Sequence, residues 1–176
     1  MMCGVLGVEA PGARSHAVAL GIGMQLTNIC RDVAEDGDMG RVYLPAEDLA
    51  LVGVPLQHVM DGTADRVSVA QVVADLLRWA DEYYAYADKG MKFIPWRPRL
   101  AILAASRIYQ AIGHRLLRVQ EGDPFQGRVV VPWYEKVICV VRAIFAWCIS
   151  LVWTRKPTVA MTPSYELVQE SGRQLT

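Results

Sequence analysis

The sequence predicts an all-α protein, and three observations predict it. Apolar residues recur at i, i+3, i+4 and i+7 over long stretches. Glycine and proline fall between those stretches, and no run alternates at period two except the short 128–131 segment. Residues 1–8 are apolar with no starting cap and read as the end of a helix, which Pro11-Gly12 breaks. A helix then runs from about Ser15 to Asp36 and stops in the turn at 37–40. Residues 45–51 form a short helix closed by Gly53, and 54–65 a connector. Ser68 is the expected N-cap of the next long helix, whose buried stripe is Val69, Val72, Val73, Leu76, Leu77 and Ala80, with Gly90 as its stop. Pro98 suits a first helical position, and Ile102, Leu103, Ile108 and Leu116 carry that helix toward Gly122. A loop to Pro132 precedes a last apolar helix over about 134–153. Residues 1–155 are expected to form one helical domain and 156–176 a flexible tail.

Composition narrows the function. The 176 residues carry 18 Lys+Arg against 18 Asp+Glu, so there is no basic surplus for a nucleic-acid surface. A hydrophobic fraction of 53% with 20% charged residues excludes a disordered chain. Cys3, Cys30, Cys139 and Cys148 never pair as Cys-x-x-Cys, and His16, His58 and His114 are scattered. Reduced thiols in a cytoplasmic setting are the expectation, without zinc site or disulfide framework. No signal peptide is read at the N-terminus, where the apolar run lacks a basic leader. The helix over 134–153 is apolar apart from Arg142 and a few polar residues at its start, and Arg155-Lys156 follows it. A mid-span arginine is costly in a bilayer, so a core helix with Arg142 facing outward is favoured over a membrane-surface helix. Trp133, Trp147 and Trp153 keep a peripheral contact in play.

The chemistry concentrates in Gln25-Leu-Thr-Asn28-Ile-Cys-Arg31-Asp32-Val-Ala-Glu35-Asp36. On one helix Gln25, Asn28, Asp32 and Asp36 fall within a wedge of roughly 80°. Ile22, Leu26, Ile29 and Val33 form an adjacent apolar sector able to face the core. Carboxylates at i and i+4 lie about 6 Å apart and can share a hard cation. Magnesium favours one or two carboxylates plus phosphate oxygens and water, with Mn²⁺ as the alternative ion. Arg31, Arg41 and Tyr43 are close enough in sequence to reach phosphate oxygens. Glu35 projects away from the stripe and is read as steadying Arg31. An isolated Asp-x-x-x-Asp pair is more often a solvated surface feature, so the pair alone decides nothing. Tyr83, Tyr84 and Tyr86 are expected to cover a helix surface, His114 to be solvated, and Met24 and Met39 to pack.

The longer string is specific. Residues 25–36, followed by Gly40-Arg41-Val-Tyr43-Leu-Pro45, resemble the second aspartate-rich signature of the squalene/phytoene synthases. Tyr109, in Ser106-Arg-Ile-Tyr109, resembles the family's cavity-facing helix tyrosine. Phe125-x-x-Arg128-x-x-Val131-x-x-x-x-Lys136 resembles the loop before the last helix on the phytoene side of the family. The resemblance covers about residues 1–136. It implies an isoprenoid-synthase helical bundle and a prenyltransferase joining two geranylgeranyl diphosphates head to head, through a cyclopropyl diphosphate, to phytoene. Asp32 and Asp36 would hold Mg²⁺, Tyr109 would face the reacting chain, and Gln25, Asn28, Arg31, Arg41 and Tyr43 would bind substrate. The family's first aspartate-rich motif, its neighbouring arginine and an upstream tyrosine have no counterpart in this sequence. Asp81-Glu82 are adjacent, and Asp61 and Asp65 lie in the connector. The chain therefore reads as the C-terminal portion of a synthase, expected to be inactive alone. A squalene or hydroxysqualene synthase portion is the alternative within the family. A non-catalytic helical partner subunit is the alternative outside it.

Overall fold

The computed structural model describes residue 10 and residues 12–152, and every regular element among them is helical. The order is α1 (Ala13–Arg31), α2 (Val33–Asp38), α3 (Ala46–Leu51), α4 (Leu56–Met60), α5 (Arg66–Gly90), α6 (Trp96–Val119) and α7 (Trp133–Val152). Single helical turns at Met91–Phe93 and Pro124–Gln126 complete it. The expected helix end at 1–8, the break at Pro11, Trp153, the basic pair at 155–156 and the tail over 156–176 lie outside the described residues.

The buried stripe of α5 is the one its periodicity indicates: Val69, Val72, Val73, Leu76, Leu77 and Ala80 are all buried. Full burial of each Val or Leu contributes about 1.5–3 kcal/mol before entropy is subtracted. The stripe continues one turn further than expected. Tyr84, four residues after Ala80, is 1% exposed and Tyr86 is also buried, so only Tyr83 of the three keeps part of its surface in solvent. The cap is corrected too. Asp65 is the N-cap, accepting from the Ser68 backbone N–H at 2.9 Å, and Ser68 sits inside the first turn. Asp65 and Ser68 both suit caps, and the carboxylate takes the position because it reaches the third amide.

α1 lies along α5 through small residues, not through the Ile22–Val33 sector. Its fully buried positions are Ala19, Thr27 and Cys30, with Gly23 among them. A Cβ at Gly23 would stand 3.3 Å from the Ala80 carbonyl oxygen, so glycine sets the helix separation. Beside that seam Val33 is buried in the core and Leu26 and Ile29 are half-buried against it, so this part of the apolar sector faces the core as expected. Tyr84 donates its hydroxyl to Thr27 Oγ1 at 3.0 Å, while Thr27 donates to the Gly23 carbonyl at 2.9 Å. At the far end His16 stacks on Tyr86, and a Cβ on Gly90 would fall inside the His16 side chain. Gly90 is thus still helical and serves close packing.

Other boundaries shift for local reasons. The 54–65 connector contains the short helix α4, seated on α2 where Gly37 approaches the Val59 and Met60 carbonyls. Pro95 caps α6, so Pro98 falls at its third residue. Buried Arg99 donates to the Ile94 carbonyl at 3.0 and 2.7 Å, closing the turn before that helix. Residues 128–131 form no strand, yet their alternation is real. Val129 and Val131 enter the core while Arg128 and Val130 stay outside.

α7 packs on α6 along a narrow seam of Cys139 and Ala143. Trp147 donates to the Trp96 carbonyl at 2.8 Å, and Arg115 pairs with Glu135 at 2.7 Å. Arg142 faces outward as expected, but so do Val137, Ile138, Val141, Ile144, Phe145 and Ile149. The core-helix expectation therefore holds only along the seam. Among the described residues no helix is long and apolar enough to cross a membrane.

Candidate functional site

The polar stripe of α1 continues across a break. Asp32 adopts φ −102° and ψ 14°, which ends α1 and starts α2, so the single helix expected over 15–36 is two. The spacing survives because Asp32 N–H still donates to the Asn28 carbonyl at 2.9 Å and Asp36 N–H to that of Asp32 at 2.8 Å. After α2 the chain turns at Gly40, whose φ of 71° favours glycine, and the Arg41 N–H bonds the Asp36 carbonyl at 2.8 Å. Buried Leu44 then anchors the segment that returns Tyr43 to the stripe.

Gln25, Asn28, Ile29, Arg31, Asp32, Asp36, Tyr43 and Tyr109 line one open concavity of about 300 Å³. Seven of the eight residues singled out from sequence thus converge, Tyr109 arriving from α6. Arg41, the eighth, does not line it, though its charge acts favourably on Asp36. The sequence reading did not single out Ile29 as a wall residue, because its apolar side chain was assigned to the core sector.

The break has an electrostatic consequence. Neighbouring residues on a regular helix diverge by 100° and do not meet. Here Arg31 grips Asp32 in a two-point pair, Nε to Oδ1 at 2.7 Å and an NH2 to Oδ2 at 2.6 Å. The hydrogen bonds to Asp32 hold the Arg31 pKa above its usual range. Asp36 is pushed up from the ordinary carboxylate value, first by burial and then by the Asp32 charge, with Arg41 opposing. Asn28 Oδ1 is buried and has no hydrogen-bond partner. An orphaned buried acceptor beside carboxylates is the kind of group that a ligand or cation satisfies.

Glu35 makes no hydrogen bond to Arg31, although its charge favours the guanidinium; its direct partner is another arginine. Its carboxylate lies 3.3 Å from Arg128, a residue of the 127–132 segment whose Nε also stands 3.8 Å from Asp32 Oδ1. Arg128 belonged to the loop pattern in the sequence, yet nothing in its spacing placed it at the carboxylates. Elsewhere, His114 is half-exposed but bonds Asp81 at 3.0 Å, so it is paired as well as solvated. Met39 is exposed and does not pack.

Among the described residues no three His, Cys, Asp or Glu side chains converge on a metal position. Asp32, Asp36 and the Asn28 amide oxygen nonetheless form an oxygen donor set of the kind magnesium takes when phosphate and water complete its shell. The donors fit half of such a site.

A family model described as squalene/phytoene synthase matches residues 1–135. The chain is 40% identical over 124 residues to the 15-cis-phytoene synthase of Paracoccus sp., covering 70% of this chain and 38% of that protein. It is 36% identical over 144 residues to the 15-cis-phytoene synthase of Enterobacter agglomerans, covering 81% and 48%. Among solved structures, a dehydrosqualene synthase in complex with ligand superposes with a TM-score of 0.65 at 29% identity, over 74% of this chain and 45% of the other. The chain spans about half, or less, of the length of these relatives.

Proposed function

From the premise that the chain belongs to the squalene/phytoene synthase family, transferases of isoprenoid-synthase fold, we propose that the Asp32–Asp36 concavity binds a prenyl diphosphate and a divalent cation. The reaction proposed is the head-to-head condensation of two geranylgeranyl diphosphates to phytoene through a cyclopropyl diphosphate. The observation that carries this reading is the convergence of Gln25, Asn28, Arg31, Asp32, Asp36, Tyr43 and Tyr109 around an unpartnered buried amide oxygen.

Asp32, Asp36 and Asn28 would hold Mg²⁺, which when bound neutralises negative charge gathering on a departing diphosphate. Arg31 and Gln25 offer N–H donors toward phosphate oxygens, and the Arg31 fork suits two-point recognition of them. Tyr43 offers a hydroxyl at the rim. Ile29 and Tyr109 form the drier side, where water must be kept from a carbocation. The two carboxylates repel one another, so a cation between them relieves a cost built into the fold.

Among the described residues Asp32 and Asp36 are the carboxylates that line this concavity, and metal held from two facing sets is what the family resemblance implies. Ligand binding is therefore expected of residues 1–176, and robust turnover is not. The exposed apolar face of α7 and the greasy substrate together support a peripheral contact with a lipid surface.

The test is calorimetry with a non-hydrolysable prenyl diphosphate analogue. Affinity should rise with Mg²⁺, and Asp32→Asn should abolish the rise. Equal affinity with and without Mg²⁺ in the unmodified chain would refute the reading.

A further inference from the structure

Asp32 has two guanidinium groups close to its carboxylate, more positive charge than a cation-binding carboxylate needs beside it. Arg31 occupies both of its oxygens, and Arg128 approaches Oδ1 to 3.8 Å while holding Glu35 at 3.3 Å. Arg128 is not free to wander. Gly127 turns the chain at φ 103°, and Val129 and Val131 on either side of Val130 are sunk in the core. The segment therefore presents a guanidinium to the carboxylates from a fixed point, 93 residues away in sequence from Glu35.

We propose that Arg128 is an internal counter-ion for Asp32 and Glu35, competing with a divalent cation at the Asp32 face and yielding that face when the cation binds. The inference rests on the reading of Asp32 and Asp36 as the cation-holding pair. Its physical basis is simple competition. A guanidinium near a carboxylate stabilises the charge while the cation is away, and repels the cation as it arrives. The exposed half of Arg128 allows its Nε end to swing off Asp32 while its terminal nitrogen stays on Glu35.

Calorimetry with Mg²⁺ alone on the full chain tests this. Removing one positive charge about 4 Å from the carboxylate should tighten Mg²⁺ binding in Arg128→Gln by about fivefold or more. Arg128→Lys, which keeps the charge, should remain close to the unmodified protein. Weaker or unchanged Mg²⁺ affinity in a folded Arg128→Gln would overturn the inference, because a residue supporting the metal site would give that result. The unmodified protein offers a second readout. The Arg128 Nε–H resonance, identified by its loss in Arg128→Lys, should shift and exchange faster with solvent when Mg²⁺ is added. An unmoved resonance at saturating Mg²⁺ would overturn it equally. Asp36→Asn separates the two levels of argument. Mg²⁺ heat that Asp36→Asn abolishes and Arg128→Gln leaves unchanged refutes the counter-ion alone. No Mg²⁺ heat in any variant refutes the cation pair and the counter-ion together.

Discussion

The hydrogen bond between Tyr84 and Thr27 joins α5 to α1 one residue from Asn28, and three variants measure what it contributes. In Tyr84→Phe, Thr27 still donates to the Gly23 carbonyl, so no buried donor is orphaned. The loss should be that of one ordinary hydrogen bond, about 0.5–1.5 kcal/mol. Thr27→Val keeps the shape but leaves the Tyr84 hydroxyl, in a residue 1% exposed, without its acceptor. An orphaned buried donor costs about 1–3 kcal/mol, so this change should be the worse of the two. In the double variant neither partner is orphaned, and the total should fall below the sum of the singles by about 1 kcal/mol. Chemical denaturation followed by far-UV circular dichroism gives all four stabilities at neutral pH. A second signature lies at high pH. Burial pushes the Tyr84 pKa up from 10.0 to about 12. Its folded value is raised, so the stability it contributes is complete below pH 10 and is lost as pH climbs toward 12. Tyr84→Phe should remove that part of the alkaline decline. Strict additivity, or a Thr27→Val no costlier than Tyr84→Phe, would show that the hydroxyl has another acceptor and that the reasoning is wrong.

Further outcomes follow from other contacts. Because burial and the Asp32 charge raise the Asp36 pKa, its ionised form opposes folding. Asp36→Asn should therefore raise the melting temperature at neutral pH, by under about 1 kcal/mol in stability, with the gain shrinking as pH falls into the carboxylate range. The same variant should lose Mg²⁺-dependent ligand affinity. Gly90→Ala places a methyl group inside the His16 side chain and should cost about 1–3 kcal/mol, read from thermal unfolding; a neutral effect would mean the two helices separate freely. Liposome flotation should show association through α7 that weakens when Phe145 and Ile144, both exposed, are changed to Ser. Retention in the membrane fraction after a carbonate wash would instead indicate integral insertion.

The sequence carried much of this because helical periodicity is a local property. The α5 stripe was readable residue by residue, and so was the convergence of Gln25, Asn28, Asp32 and Asp36. What escaped depended on partners far along the chain. The face by which α1 meets α5 is made of Ala19, Gly23, Thr27 and Cys30, and a hydrophobicity pattern gives small residues little weight. Tyr84 continued the i+4 stripe but sat among two other tyrosines, which suggested surface. The break at Asp32 has no glycine or proline to announce it. Glu35 and Arg128 meet across 93 residues, a distance over which spacing says nothing.

The alternation of residues 128–131 ties two kinds of inheritance together. Val129 and Val131 belong to the same buried cluster as Leu76 and Leu116, so the aim of Arg128 is determined by core volume. A methyl lost from Val131 would be scored as a stability mutation in any survey of tolerated changes, yet it would also move a charge beside Asp32. Under the proposed cation reading, drift in the interior would be felt at the carboxylates as altered cation affinity. Under that same reading the two valines would act as a fine adjustment of the site without a change in any residue proposed to meet the ligand.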